Sequence, residues 1–277
     1  MNSVRRARPW LGTLVDIRVD AMDEACAVRA IDAAFAEVAT VHRLMSFHEA
    51  SSDLARLRRA PAGSCVRVNA RTHEVLDWSR RIAQASDGAF DPCVATMQVA
   101  LGVLPVPESN FVPDARAHWR DIELLDGERV RLRRPLWIDL GGIAKGYAVD
   151  RAIEVLRAHG ATRACVNAGG DLRLCGPNPE RVDVCTAGGV LFPAIELVDG
   201  ALATSASSGA QHLYGRTREA VAAGVTVSVA AERCLVADAL TKVVLANSAP
   251  SGLLAAFGAQ AWMHDARCGW RPLSLAA

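Results

Sequence analysis

The residues best suited to chemistry lie close together in Asp139-Leu140-Gly141-Gly142-Ile143-Ala144-Lys145. Leu136 to Leu140 reads as a buried strand. Beyond the glycines, Ala148, Val149, Ala152, Ile153 and Leu156 recur at helical spacing, and Gly160 is placed to stop the run. A strand that breaks through a glycine turn into a helix gathers unpaired N–H groups and the positive end of a helix at one point, a setting that favours phosphate. Lys145 adds a mobile cation there and Asp139 a carboxylate. A lysine at a helix start runs against the macrodipole, so a bound anion explains Lys145 better than a solvated surface does. The spacing matches neither a Walker loop nor a dinucleotide GxGxxG.

Other short segments share this character. Val166-Asn167-Ala168-Gly169-Gly170-Asp171 ends a second strand on paired glycines and an acid. Ala201-Leu202-Ala203-Thr204-Ser205 and Ala237-Asp238-Ala239-Leu240-Thr241-Lys242 follow it, and Trp10-Leu11-Gly12-Thr13, Met45-Ser46 and Gly88-Ala89-Phe90-Asp91-Pro92 precede it. In this order, from about Arg6 to about Asn247, the set resembles the ApbE family of FAD:protein FMN transferases.

That resemblance implies roles for particular residues. It puts Asp139 and Lys145 on the flavin dinucleotide and the main-chain carbonyl of Gly142 on a metal ion. It lays Ala89, Phe90 and Asp91 along the FAD, with Leu11 and His48 nearby. His48 stands where the family usually carries a tyrosine, and an imidazole can also stack on a flavin or adenine ring. Read from the residues alone, a phenylalanine after a glycine turn is more often core, Asp91 before Pro92 is a good turn residue, and His48 reads equally as a surface histidine. Thr204-Ser205 is similar to the family's Ala-Thr-Ser stretch beside the nucleotide. The following segment keeps His212 and a threonine but lacks the family's Asp-Pro pair.

The sharpest departure falls at the implied Mg²⁺ site. The family presents Asp-x-x-x-Thr on a helix, whereas here Asp238 is followed by Thr241 and then Lys242. Positions i and i+4 share a helix face, so Lys242 meets Asp238. Three readings stand: a plain helix ion pair; an ammonium replacing part of the metal's charge against the pyrophosphate; or Mg²⁺ kept on Asp238, Thr241 and the Gly142 carbonyl, with Lys242 turned onto phosphate. The last two share a cation-assisted site in which the cation is open.

The implied reaction is phosphoryl transfer from FAD to a threonine or serine hydroxyl of an acceptor protein, with loss of AMP. Such chemistry needs charge neutralised on the pyrophosphate and a hydroxyl aimed in line with phosphorus. Asp238 fits as metal ligand or hydroxyl-orienting base, and Lys145 and Lys242 as charge stabilisers. Two rivals are a flavin-binding protein without transfer and an FAD pyrophosphatase.

The elements that must position these residues follow from composition and periodicity. The chain has 277 residues, 51% of them hydrophobic, and a net charge of +1. It is long enough to bury a sizeable core and lacks the basic excess of a nucleic-acid scaffold. Eight cysteines are scattered singly, without CxxC or Cys/His metal spacing, as suits a reducing cytoplasm. No signal peptide or membrane span is visible.

Helices are expected from Val28 through Val38 toward Leu44-Met45, through Ser52–Leu57 and Val75–Ala83, and from Asp238 to about Asn247. Strands are expected at Leu14–Val19, Val66–Val68, Ile122–Leu124, Val130–Leu132, Ala164–Val166, Leu172–Leu174, Val182–Cys185, Ala194–Leu197, Ala201–Thr204 and Thr226–Ala230. The connections are hairpin-like, so the expected class is α+β, two joined lobes of mostly antiparallel sheet with packed helices and a lobe boundary near 104–113. The resemblance implies that they form one ApbE-like domain.

Overall fold

Period-2 alternation builds the centre of the molecule. A computed structural model describes residues 3–185, 191–207, 213, 215, 217–221, 223–246, 252–265 and 269–273, without the side chains of 185 and 191–194. The first half contains β1 (Ser3–Trp10), β2 (Thr13–Asp20), α1 (Glu24–Met45), α2 (Asp53–Arg59), β3 (Cys65–Arg67), α3 (Ala70–Ala85), α4 (Ala95–Ala100), β4 (Ile122–Leu125) and β5 (Arg129–Leu132). The second contains α5 (Ala144–Ala158), β6 (Arg163–Ala168), β7 (Asp171–Cys175), β8 (Glu180–Cys185), β9 (Leu191–Leu197), β10 (Ala201–Ala206), β11 (Thr226–Ala231), α6 (Cys234–Leu245), α7 (Leu253–Ala256), β12 (Gln260–Asp265) and β13 (Gly269–Leu273).

Among the described residues, an eight-stranded sheet runs in the order β1-β2-β6-β7-β10-β11-β12-β13, beside a three-stranded sheet β3-β5-β4 and the pair β8-β9. Every one of these pairings is antiparallel. The architecture is the α+β one expected, not a parallel wound sheet.

Helical spacing decides what covers the large sheet. In α1 the buried positions Ala27, Ala30, Ile31, Ala34, Phe35 and Val38 form one stripe. That stripe packs with Val15, Ile17 and Val19 of β2 and with Val149, Ile153 and Leu156 of α5. Each large side chain withdrawn from water there contributes roughly 1.5–3 kcal/mol. α6 differs from α1 and α5 because every residue in it except Lys242 is buried. A helix covered on nearly every side belongs inside a protein, and α6 lies in the larger core cluster with α3, α5 and the inner strands.

Three expectations are corrected. Leu136–Leu140 belongs to no sheet, although Leu136, Ile138 and Leu140 are buried. Alternation records which side chains are covered, not whether a ladder partner exists, and here the Asp139 N–H donates to the Pro92 carbonyl at 2.8 Å. α6 starts at Cys234, ahead of the expected Asp238. β1, β12 and β13 were not foreseen. In β1 the exposed Arg5, Arg6 and Arg8 occupy an edge strand, where charge discourages pairing with another chain.

Residues 104–113 carry no regular structure, and side chains from both sides of them share one core cluster. Among the described residues no helix is long and apolar enough to cross a membrane.

Candidate functional site

The glycine turn and α6 meet because one residue lacks a side chain. Gly146, in the first turn of α5, faces the start of α6 so closely that a Cβ there would stand 2.4 Å from the Cys234 carbonyl oxygen. The approach lets the Gly146 N–H donate to Asp238 Oδ2 at 3.1 Å. Lys145 then extends its ammonium to the Asp171 carboxylate and lies 3.6 Å from Asp238 Oδ1. From one helical turn further along α6, Lys242 Nζ reaches the same Oδ1 at 2.5 Å, Ser205 Oγ at 2.9 Å and Thr241 Oγ1 at 3.0 Å.

Two buried carboxylates are therefore balanced by two ammonium groups. Burial alone would push the Asp238 carboxyl up, but Lys145 and Lys242 reverse this and hold it below the usual carboxylate value. Asp171 goes the other way: burial, and then the charge of Asp238, raise it despite Lys145. Its Oδ1 is buried without a hydrogen-bond partner among the described residues. Burial disfavours the charge on Lys145, yet Asp238 and Asp171 prevail and hold it protonated above the ordinary lysine value. Lys145 thus has protein anions of its own, and its place at a helix start does not require a bound one.

A cleft of about 450 Å³ opens over this cluster. Of the residues singled out in the sequence, Leu11, His48, Ala89, Phe90, Asp91, Asp139, Gly142, Lys145 and Lys242 line it. Leu11 projects from the two-residue turn between β1 and β2 at a φ of +56°. His48 is exposed at the rim, with its ring edge-on to Phe47. Phe90 serves both readings, since it belongs to the core and also faces the cleft. The Asp91 carboxylate is already engaged, accepting from the Cys93 N–H at 2.8 Å and from Arg218 at 3.0 Å. Burial nevertheless raises its carboxyl, because it outweighs the guanidinium. Asp139 closes the corner by accepting from the Gly141 N–H at 3.0 Å, and desolvation raises it too.

Asp238 and Thr241 are absent from the cleft lining and fully buried. The cleft meets them only through Lys145 and Lys242. Thr204 is also absent from the lining: its hydroxyl pairs with Ser228 at 2.8 Å. Successive residues of a strand point to opposite faces, so the neighbour Ser205 is the one turned to α6, where it reaches Lys242 and Thr241. His212 lies outside the described residues. From the same segment Leu213 lines the cleft, and the Gly215 N–H donates to the Ala89 carbonyl at 3.0 Å. The sequence reading left Asp171 and Ser205 out of the site. The acid after the paired glycines was a usable signal for Asp171, whereas nothing local marks Ser205 over Thr204.

The model of the ApbE family matches residues 11–257. The chain belongs to the ApbE family. An FAD:protein FMN transferase of Treponema pallidum is 28% identical over 181 residues, covering 60% of this chain and 50% of that protein. One of Rhodobacter capsulatus is 31% identical over 182 residues, covering 61% of this chain and 34% of its own length. The chain thus spans about half or less of the length of these curated relatives. The solved ApbE protein of Thermotoga maritima superposes with a TM-score of 0.83 at 24% identity, covering 98% of this chain and 97% of that one. The flavin transferase ApbE of Vibrio cholerae gives 0.82 at 22% identity, covering 99% and 97%. At these identities the two structures establish the shared ApbE fold.

The Mg²⁺ implied by the ApbE resemblance would fall to Gly142, Asp238 and Thr241, but Lys242 holds the last two and its stem passes over the first. Asp238 Oδ1 takes the Lys242 ammonium and Oδ2 the Gly146 N–H. The Thr241 hydroxyl donates to the Asp238 carbonyl at 2.6 Å and so meets Lys242 as an acceptor. A Cβ on Gly142 would touch Lys242 Cγ and Cε at 3.5 Å, so the lysine stem runs across that glycine. With Lys242 in this position the donor set does not fit a divalent ion.

Proposed function

We propose that this chain is an FAD:protein FMN transferase. The observation that carries the reading is the convergence of Lys145 and Lys242 at one cleft with Leu11, His48 and Phe90. Two fixed cations suit a pyrophosphate, and an apolar, partly aromatic wall suits the rings of a dinucleotide. Membership of a family whose curated relatives bear that name supports it further.

In this reading the acceptor's threonine or serine oxygen attacks the FMN-side phosphorus. A new P–O bond to that oxygen forms, the pyrophosphate P–O bond breaks, and AMP departs, carrying the hydroxyl proton in the overall balance. Lys145 and Lys242 neutralise charge as it shifts toward the leaving phosphate. Asp238 and Asp171 hold the two ammonium groups in place, which makes them positioning residues. Mg²⁺ has no part in this reading, because Lys242 holds two of the oxygens it would need, Asp238 Oδ1 and Thr241 Oγ1. The chain acts as a single ApbE-like domain, with residues 104–113 as the connection beside the cleft rim formed by Val103 and Leu104. Thiols that are free at all six cysteines whose side chains are described favour a reducing, cytoplasmic setting.

Incubation with FAD and a threonine-bearing acceptor protein tests the reading. The expected result is flavin fluorescence that stays with the acceptor after denaturation, with an equal amount of AMP released. FAD recovered intact would leave a binding protein, and free FMN plus AMP would leave a pyrophosphatase.

A further inference from the structure

We infer that the Lys242 ammonium occupies the position of a divalent cation, so that this chain neutralises a pyrophosphate with a tethered charge and binds it without metal. The identity of the pyrophosphate ligand rests on the transferase reading; the cation exchange itself does not.

The geometry of the ammonium carries the inference. Lys242 has three N–H donors, and three oxygens receive them: Asp238 Oδ1, Ser205 Oγ and Thr241 Oγ1, at 2.5, 2.9 and 3.0 Å. These oxygens come from two elements, β10 and α6, and Asp238 and Thr241 are fully buried. A lysine free to roam the solvent would not hold this set. It behaves as the central ion of an oxygen cage. The same residue is the one position of α6 that is not buried, and it faces the cleft.

A magnesium ion needs near-ideal octahedral geometry at about 2.0–2.1 Å from each oxygen. Bound to Asp238 Oδ1, it would stand beside the ammonium now on that atom. Lys145 Nζ at 3.6 Å from the same atom adds a second repulsion. Asp171 and Asp238 lie buried behind the two lysines and do not line the cleft, so the cluster turns its ammonium side to a ligand. An incoming pyrophosphate is met by cations already in place. Removing the Lys242 charge should restore what the cage lacks for a metal, a free carboxylate oxygen and two hydroxyls, and a threonine in its place would also clear the stem from over Gly142.

The full-length chain can be titrated with Mn²⁺, a paramagnetic substitute for Mg²⁺, with and without FAD, and free Mn²⁺ read by electron paramagnetic resonance. The wild type should bind no stoichiometric Mn²⁺. Lys242→Met and Lys242→Thr should each bind one ion per chain, lost again when Asp238→Asn is added. In parallel, FAD affinity read from flavin fluorescence should be unchanged by chelator in the wild type. In Lys242→Thr it should fall at least tenfold in chelator and recover with Mg²⁺.

One Mn²⁺ on the wild type that disappears in Asp238→Asn overturns the inference, as does failure of both folded Lys242 variants to gain an ion. Should neither variant fold, the wild-type titration and its chelator test decide alone. If the wild type binds no FAD, the transferase reading falls while the Mn²⁺ comparison still judges the cation exchange.

Discussion

Lys145 ties a glycine turn to two strands of charge logic at once. Its ammonium neutralises Asp171 and helps to depress Asp238, and both acids are buried. Removing one partner from a buried ionic cluster leaves an uncompensated charge, which costs about 3–5 kcal/mol. Lys145→Ala should therefore lower the urea-unfolding free energy by an amount in that range. Adding Asp171→Asn should recover part of the loss, because the acid already raised by burial then carries no charge. Independent, additive losses in the double variant would show that the pair is not coupled. The same Lys145→Ala chain should bind FAD more weakly by about 1.5–3 kcal/mol if the ammonium meets phosphate. Flavin fluorescence titration on the folded fraction checks this separately from stability.

Among the elements, the contact of α5 with α6 sets the site. Two features hold it. The first is Gly146, where a Cβ would run into the Cys234 backbone rather than a yielding side chain. Gly146→Ala must push the helices apart, at a cost of about 1–3 kcal/mol, and should displace Asp238 from its Gly146 N–H. A lowered thermal midpoint together with weakened FAD binding is the expected result, and an unchanged midpoint would mean that the helices do not touch there.

The second feature is Asp150 of α5. α6 has no side-chain cap of its own, and Asp150 supplies one from another helix, accepting from the Cys234 and Leu235 N–H groups at 2.9 and 3.0 Å. It also pairs with buried Arg173 at 2.7 Å. Asp150→Ala strips a helix cap and strands a guanidinium, so denaturant unfolding should record a loss of about 3–5 kcal/mol. A loss near 1 kcal/mol would reduce Asp150 to an ordinary cap.

Over the whole molecule, the cysteines report how the layers close. Cys26 and Cys65 are exposed, whereas Cys93, Cys175 and Cys234 are buried. Burial pushes the Cys165 thiol up to about 11 and those of Cys93 and Cys234 well above the ordinary value. The thiolate is the reactive form, so a raised value slows alkylation at every pH below it. With iodoacetamide at pH 8, peptide mass spectrometry should find Cys26 and Cys65 labelled first and Cys93 and Cys234 only after denaturation. The Cys165 rate should climb about tenfold per pH unit until roughly pH 11, because each unit multiplies its thiolate fraction by ten. Early labelling of Cys93 or Cys234 would mean that the core opens far more readily than its packing indicates.

The sequence by itself determined the α+β class, most strand and helix positions, and the glycine turn with Asp139 and Lys145. It also marked the cleft-lining set from Leu11 to Lys242. These were legible because they depend on local periodicity, turn chemistry and a motif order resembling a family. The tertiary structure decided the rest. The Leu136–Leu140 segment alternates like a strand but finds no ladder partner, and alternation carries no information about neighbours. Ser205, not Thr204, faces α6, because adjacent residues of a strand point apart and the order of the sheet chooses the side. Lys145 and Lys242 share Asp238 although the turn and α6 are far apart in the chain, since the approach at Gly146 brings their backbones together. Periodicity states which face of an element must be covered, but only the packed fold determines what covers it, and here that choice placed an ammonium inside a cage of oxygens.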